Sequence, residues 1–366
     1  MPYEKFSLPE YPCKRDMWDE LKVESRPTVI YGMGNGADKL IERFDALGIK
    51  FADIFASDGF VRGHSFHGVK VKTLEEIRSL YEEFVIVLSF ASNREEVLYM
   101  LSELDMRFDM YVPDMPVAGV EEFFDKDFYN ENYEKITKAY ELFYDEDSRN
   151  AYASIINFKL SGRMKYLMKS YSERDEIYSL FPCESIKNIV DAGAYNGDTV
   201  REAKEYFINL ESAFAIEPDK RNFKKLQKYR EAEKDICVTA INAAVWSSDS
   251  VGRFFGSGNR NSTVVATASF ESKESEVLFR SVDSVVSGRT DYIKYDVEGA
   301  EREALDGSRA TIEKYAPSLL VSLYHRSRDI FELPLLIAER HHGYTFYLRR
   351  LKCLPAWEID LILIPT

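Results

Sequence analysis

Apolar residues along this chain fall into short runs, and between the runs they recur every three or four positions. Such an alternation predicts parallel strands covered by helices. The first run, Thr28–Tyr31, leads through Gly32-Met33-Gly34-Asn35-Gly36 into a helical pattern that extends to about Leu47. Ile49–Ser57 reads as a second strand ending at Asp58-Gly59. Phe84–Ser89 is a third, with an amphipathic helix over Asn93–Leu104 after it, and Arg107–Val112 is a fourth. With a polar lead-in that carries Pro9 and Pro12, this predicts a small Rossmann-like α/β domain over residues 1–119.

From about Val120 the periodicity becomes helical, with Ile136, Tyr140 and Phe143 and then Tyr152, Ile155, Ile156 and Leu160 on apolar faces. This predicts a helical connector over 120–185, with a break at Asp145–Ser148 and a stop at Pro182. Strands resume in 186–366. Val190-Asp191 ends the first of them and a helix over Thr199–Phe207 comes next. Ala213–Ile216 ends at Glu217-Pro218, Ile236–Ala240 at Asn242-Ala243-Ala244, Asp291–Tyr295 at Asp296-Val297-Glu298-Gly299, and Ser318–Leu323 at Tyr324-His325. Two last strands, Tyr344–Leu348 and Glu358–Ile364, lack a helix-length segment between them and should pair antiparallel at one edge of an otherwise parallel sheet. No internal repeat or low-complexity tract interrupts the pattern.

Composition narrows the function. A length of 366 residues fits two domains, and 45% hydrophobic with 30% charged residues is globular. A formal net charge of −14 argues against a sequence-independent grip on nucleic acid. Cys13, Cys183, Cys237 and Cys353 form no CxxC pair, which disfavours a zinc site or a disulfide framework and suits a reducing cytoplasm. Neither a signal peptide nor an apolar run long enough to span a membrane is visible, so the expected location is cytoplasmic.

Chemistry concentrates at the strand ends of the third section, where doubly wound sheets bind ligands. In Asp191-Ala192-Gly193-Ala194-Tyr195-Asn196-Gly197-Asp198-Thr199, Gly193 allows a tight turn and Gly197 stands at the entrance to a helix. Glu217, at the end of the second strand, is placed to accept ribose hydroxyls, as for S-adenosylmethionine or a nicotinamide cofactor. The first loop separates these two. It is D-x-G-x-x-x-G rather than G-x-G-x-x-G, and the carboxylates of Asp191 and Asp198 would repel a pyrophosphate but suit an ammonium and a sulfonium.

These residues carry a family resemblance. The stretches Val190–Thr199, Glu217-Pro218, Asn242-Ala243-Ala244-Val245, Ser281-Val282-Asp283, Ile293–Glu301 (with K-x-D-x-E-G-A-E), Tyr324-His325 and Tyr344–Arg349 resemble the FkbM methyltransferases over residues 186–350. Tyr295 and Val282 stand where Ile or Val, and Leu, are commoner, which bears only on local packing. The resemblance implies a class I methyltransferase fold, S-adenosylmethionine as cofactor, and methyl transfer to oxygen on a sugar, glycan or natural product. The expected cofactor-binding set is Asp191, Gly193, Ala194, Tyr195, Gly197, Asp198, Thr199, Glu217, Asn242 and Ala243.

Asp296, Glu298 and His325 are the candidate catalytic residues. Asp296 would face the methionine end of the cofactor or the acceptor hydroxyl, and His325 has the ordinary pKa of a general base near neutrality. Glu301 reads as the start of a helix, where a carboxylate complements the dipole. Asp296, Glu298 and His325 are chemically able to hold a divalent ion, but nothing in their spacing demands one, and no metal is expected. Arg349 and Arg350 read as surface residues ahead of contacts to an anionic acceptor. The Gly32–Gly36 loop and Asp58 are a weak nucleotide-fold signature, compatible with packing, with a nucleotide-linked sugar acceptor, or with a nicotinamide-dependent oxidoreductase in place of a methyltransferase. A non-catalytic scaffold is the remaining alternative. Acceptor choice is expected from Gly252–Arg280 and the first domain, and a homo-oligomer is left open.

Overall fold

The computed structural model describes residues 5–61, 63–118, 122–256 and 273–366. The N-terminal section builds a four-stranded parallel sheet from β1 (Thr28–Tyr31), β2 (Asp53–Phe55), β3 (Val85–Leu88) and β4 (Asp109–Tyr111), in the order β2-β1-β3-β4. Helix α1 (Asn35–Leu47) follows β1 and ends on Gly48 in the left-handed region. The strand expected from Ile49 begins only at Asp53, because the Ile49 amide still donates to the Phe44 carbonyl (2.9 Å) in closing that helix end. A two-stranded hairpin, Ser65–Phe66 with Val69–Lys70, is an addition the pattern did not announce.

The connector consists mainly of α2 (Lys126–Leu142) and α3 (Glu146–Ser161). The break between them lies at Phe143–Asp145, where Asp145 caps α3 by accepting from the Ser148 amide at 2.8 Å. Ser148, read as part of the break, thus belongs to the first helical turn. The connector also packs tightly on the third section. Phe128 of α2 meets Phe331 of α6 (Asp329–Arg340) with ring centroids 5.9 Å apart. One apolar cluster continues from Val29 and Ile86 through Tyr129, Ile136 and Tyr152 to Val190, Ile293 and Leu361. Each such fully buried side chain contributes roughly 1.5–3 kcal/mol.

The third section forms a seven-stranded sheet from β5 (Asn188–Ala192), β6 (Ser212–Ile216), β7 (Cys237–Ile241), β8 (Tyr292–Tyr295), β9 (Ser318–Ser322), β10 (Tyr344–Arg350) and β11 (Ile359–Pro365). The order is β10-β11-β9-β8-β5-β6-β7, and β11 alone runs antiparallel to both its neighbours. The last two strands therefore pair antiparallel at one edge, as their lack of an intervening helix predicts. Helices α4 (Asp198–Tyr206) and α5 (Lys220–Ala232) cover one face through Val200, Ala203 and Leu226. Strand order moves outward from β5 to β7 and then restarts at β8 on the other side of β5. That reversal opens a crevice beyond the carboxyl ends of β5 and β8.

A small satellite sheet of Ala244–Val245, Lys273–Arg280 and Ser250–Gly256 has no counterpart in the expected elements. It occupies part of the Gly252–Arg280 region expected to shape acceptor choice, and residues 257–272 of that region lie outside the described residues.

Arg349 and Arg350 correct the sequence reading. They are 4% and 0% exposed rather than on the surface, because the connector covers the end of β10. Arg349 pairs with Asp145 at 2.7 Å and donates to Ser148 Oγ at 2.8 Å. Arg350 donates to the carbonyls of Leu167, Ser170, Leu351 and Cys353. Among the described residues, no helix is long and apolar enough to cross a membrane.

Candidate active site

A cavity of about 400 Å³ occupies the crevice, within the range usual for small-ligand sites. The loop after β5 forms its floor. Gly193 has φ +91°, and a Cβ there would lie 1.9 Å from the Asp296 carbonyl oxygen, so only glycine allows the ends of β5 and β8 to approach this closely. The Gly193 and Ala194 amides donate to the Ile216 carbonyl at 3.0 and 2.9 Å, which ties the loop to β6. Tyr195 is then held at φ +45°, a conformation that costs a non-glycine residue about 1–3 kcal/mol.

That strained turn aims the Tyr195 amide at Glu217 Oε2, 2.9 Å away, while Glu217 Oε1 accepts from the Asp219 amide at 2.8 Å. Glu217 is 6% exposed, and burial pushes its carboxyl up to about 8 against the pull of these two amides. Asn242 supports the turn from behind, with Nδ2 donating to the Glu217 carbonyl at 2.8 Å and the Pro218 carbonyl at 3.1 Å. Asp191 is 1% exposed and neither carboxyl oxygen has a hydrogen-bond partner among the described residues. Burial pushes it up to about 7 although Lys294, its register neighbour on β8, opposes the rise.

On the opposite wall Lys294 donates to Thr199 Oγ1 at 3.0 Å and to Asp296 Oδ2 at 3.3 Å. Burial alone would lower the Lys294 ammonium, but Asp296 and Asp191 raise it above its ordinary value. Tyr324 donates to Asp296 Oδ1 at 3.3 Å. Glu298 sits at φ +54°, a second strained residue at the cavity wall. Beneath them lies His325, 0% exposed, with Nε2 3.5 Å from Asp296 Oδ1 and 3.4 Å from Glu298 Oε2. Its Nδ1 is 2.9 Å from Glu301 Oε1, an ion-pair contact rather than an aligned hydrogen bond.

The electrostatics divide these groups into two kinds. Burial works against a charged His325, yet Glu301, Glu298 and Asp296 together lift it to about 10, so it is an imidazolium near neutrality. Burial also disfavours the Asp296 carboxylate, but Lys294 and His325 outweigh this and hold it below the usual range. Glu298 goes the other way: burial pushes it up to about 8 despite His325, and Asp296 and Glu301 add to the rise. Glu301 accepts from the Val297 amide at 3.0 Å and the Gly299 amide at 3.4 Å, and so shapes the turn that presents Glu298.

Of the residues singled out from sequence, Gly193, Tyr195, Asp198, Thr199, Glu217, Asp296 and Glu298 line the cavity. Asp191, Ala194, Gly197, Asn242, Ala243 and His325 do not, and stand behind its wall. Gly197, at φ +82°, is required by packing, since a Cβ would come 2.5 Å from the Tyr229 ring. Several lining residues were missed, Arg174, Glu202, Lys352, Trp357 and Glu358 among them. Asp360 lines the cavity from β11, and an acid inside the apolar run Ile359–Ile364 was a legible signal. Ala91, Ser92, Asn93 and Val117 line it from the N-terminal section, and no local pattern marked them. Among the described residues, no group of three His, Cys, Asp or Glu side chains has a metal-binding arrangement.

Residues 191–346 match the family model described as the Methyltransferase FkbM domain. No curated protein matches the chain. Among solved structures, a Methyltransferase FkbM from Methylobacillus flagellatus KT is 18% identical and covers 98% of this chain and 94% of its own, with a TM-score of 0.70. At that identity the likeness establishes a shared fold, and it extends across the N-terminal section as well. An rRNA methylase from Streptococcus thermophilus is 12% identical over 53% of this chain and 98% of its own, with a TM-score of 0.35, too low to argue from. The sheet order, the crevice beyond β5 and β8 and the family match agree: the third section has the Rossmann-like class I methyltransferase fold, and residues 191–346 are similar to the FkbM methyltransferase domain.

Proposed function

We propose that the protein uses S-adenosylmethionine to methylate a hydroxyl oxygen on a sugar, glycan or natural product. The observation that carries this reading is the chemistry of the cradle. Asp198, Glu202, Glu217, Asp296 and Glu298 line the cavity around the β5 loop, and the nearby Lys294 is already paired with Asp296. A cofactor bearing an ammonium and a sulfonium fits such a set, whereas a pyrophosphate would meet carboxylates in the place of free backbone amides. When bound, S-adenosylmethionine supplies an electrophilic methyl group on a cationic sulfur.

Glu217 would hold the ribose hydroxyls, since its two oxygens keep acceptor capacity beyond the amides they already engage. Asp296, ionised, would face the cationic end. Glu298 would take the proton from the acceptor hydroxyl, because a carboxylate with a raised pKa is the stronger base of the two. His325 is a positioning residue in this scheme: its fixed charge keeps Asp296 ionised and aims Glu298, and an imidazolium has no capacity to accept the proton itself. Tyr195, at φ +45°, orients the amide that fixes Glu217.

Calorimetric titration with S-adenosylmethionine, its demethylated product S-adenosylhomocysteine, and NAD tests the reading. The first two should bind, and Glu217→Ala should weaken them about tenfold, the worth of one hydrogen bond to a carboxyl that is mostly protonated near neutrality. Binding of NAD alone would sink it.

A further inference from the structure

The cavity has a side that the cofactor reading leaves unused. Ala91, Ser92 and Asn93 of the N-terminal section face the loop between β10 and β11, which contributes Leu351 through Cys353 and Trp357. The two sides are locked together. The Ser92 amide donates to the Leu354 carbonyl at 2.8 Å and the Leu354 amide returns the bond to Ser92 at 2.9 Å. Arg350, fully buried, grips the base of the same loop through the Leu351 and Cys353 carbonyls. This wall is preformed, as a specificity surface has to be.

It carries charge of both signs, since Glu358 of the same loop lines the cavity as well as Lys352. Among the described residues, three cations line the cavity. Lys294 is paired with Asp296 and Arg174 with Glu202 at 3.1 Å. Lys352 has no carboxylate within ion-pair distance among the described residues, and its ammonium lies 5.1 Å from the centroid of the Tyr171 ring. On the same loop, Trp357 Nε1 is buried and has no acceptor among the described residues. Lysine and the indole N–H only donate, and the Asn93 amide adds a donor across the gap.

We propose that the methyl acceptor is anionic, and that its carboxylate or phosphate is held by Lys352 in a subsite between Asn93 of the N-terminal section and Trp357. The inference rests on the acceptor being a sugar-like hydroxyl compound methylated in this cavity. An ionised group on Lys352 gains a charge-assisted contact.

The test uses the full chain saturated with S-adenosylhomocysteine, titrated in parallel with glucose, glucuronate and glucose 1-phosphate. At least one anion should bind about tenfold tighter than glucose, and whichever does so separates carboxylate from phosphate. Lys352→Gln should abolish that preference and leave S-adenosylhomocysteine affinity intact, and Asn93→Ala should weaken the preferred anion more than glucose. Equal binding of the three sugars, binding of none, or an anion preference that survives Lys352→Gln would overturn the proposal. Failure of S-adenosylhomocysteine to bind the unaltered chain would instead overturn the cofactor reading.

Discussion

Replacing His325 by Gln removes a buried cation from among three carboxylates and leaves a polar side chain of similar length. In the unfolded chain this ring titrates at its ordinary 6.5, and in the fold it rises to about 10. At about 1.4 kcal/mol per tenfold, that difference corresponds to about 5 kcal/mol when the ring is fully protonated in both states. An independent comparison agrees, since removing one partner of a buried ion pair costs about 3–5 kcal/mol. The sign follows from the raised folded value. The contribution is complete below pH 6.5, declines through the window from 6.5 to about 10, and is gone above it. Urea unfolding of both chains at pH 6.5, 8 and 9.5 should give a loss of about 3–5 kcal/mol at the lowest pH, shrinking to about 1 kcal/mol at the highest. A loss below about 1 kcal/mol at pH 6.5, or one that stays constant with pH, would refute a charged His325 as the centre of this cluster.

Gly193→Ala puts a Cβ 1.9 Å from the Asp296 carbonyl in a residue at φ +91°, so both melting temperature and S-adenosylhomocysteine affinity should fall, the latter by more than about tenfold; unchanged values would show that the loop relaxes freely. If Glu298 takes the acceptor proton, the methyl-transfer rate should climb about tenfold between pH 7 and 9 as a carboxyl near 8 ionises, and Glu298→Gln should flatten that rise as well as slow the reaction. A rise of the same steepness in the variant would assign the proton to another group.

Much of the site was legible because strand ends announce themselves. Gly193, Glu217, Asp296 and Glu298 each follow an apolar run, and parallel topology gathers all such ends on one edge. What the pattern could not supply was the direction of each side chain. Asp191 and Glu217 both stand at strand ends, yet Glu217 enters the cavity and Asp191 is enclosed beside Lys294, its partner on the adjacent strand. That outcome depends on strand parity and on cross-strand register, which a single strand does not specify. His325 shows the same limit in electrostatic form. A histidine at a strand end reads as a base, and only the carboxylates brought in from Glu301, Glu298 and Asp296 convert it to a fixed cation. Arg349 and Arg350 were misplaced for a related reason: their partners Asp145, Ser148, Leu167 and Ser170 lie some two hundred residues earlier in the chain.

The glycine loop of the N-terminal section takes on a different meaning in this setting. A Cβ on Gly36 would lie 2.0 Å from the Ser89 carbonyl oxygen, and one on Gly32 would lie 2.6 Å from Ser89 Oγ. Both glycines therefore serve a close approach between the start of α1 and the chain leaving β3. The segment held in this way continues directly into Ala91–Asn93, and the bridge from Ser92 to Leu354 carries the constraint to the cavity wall. A second tie runs from the Ala118 amide to the His325 carbonyl at 2.9 Å. A nucleotide-binding loop would keep its amides clear for phosphate, whereas this one brings Gly32 and Gly36 against protein and leaves space only at Gly34. The glycines that suggested a second cofactor site are better accounted for as the means by which the N-terminal section seats one wall of the methyltransferase cavity.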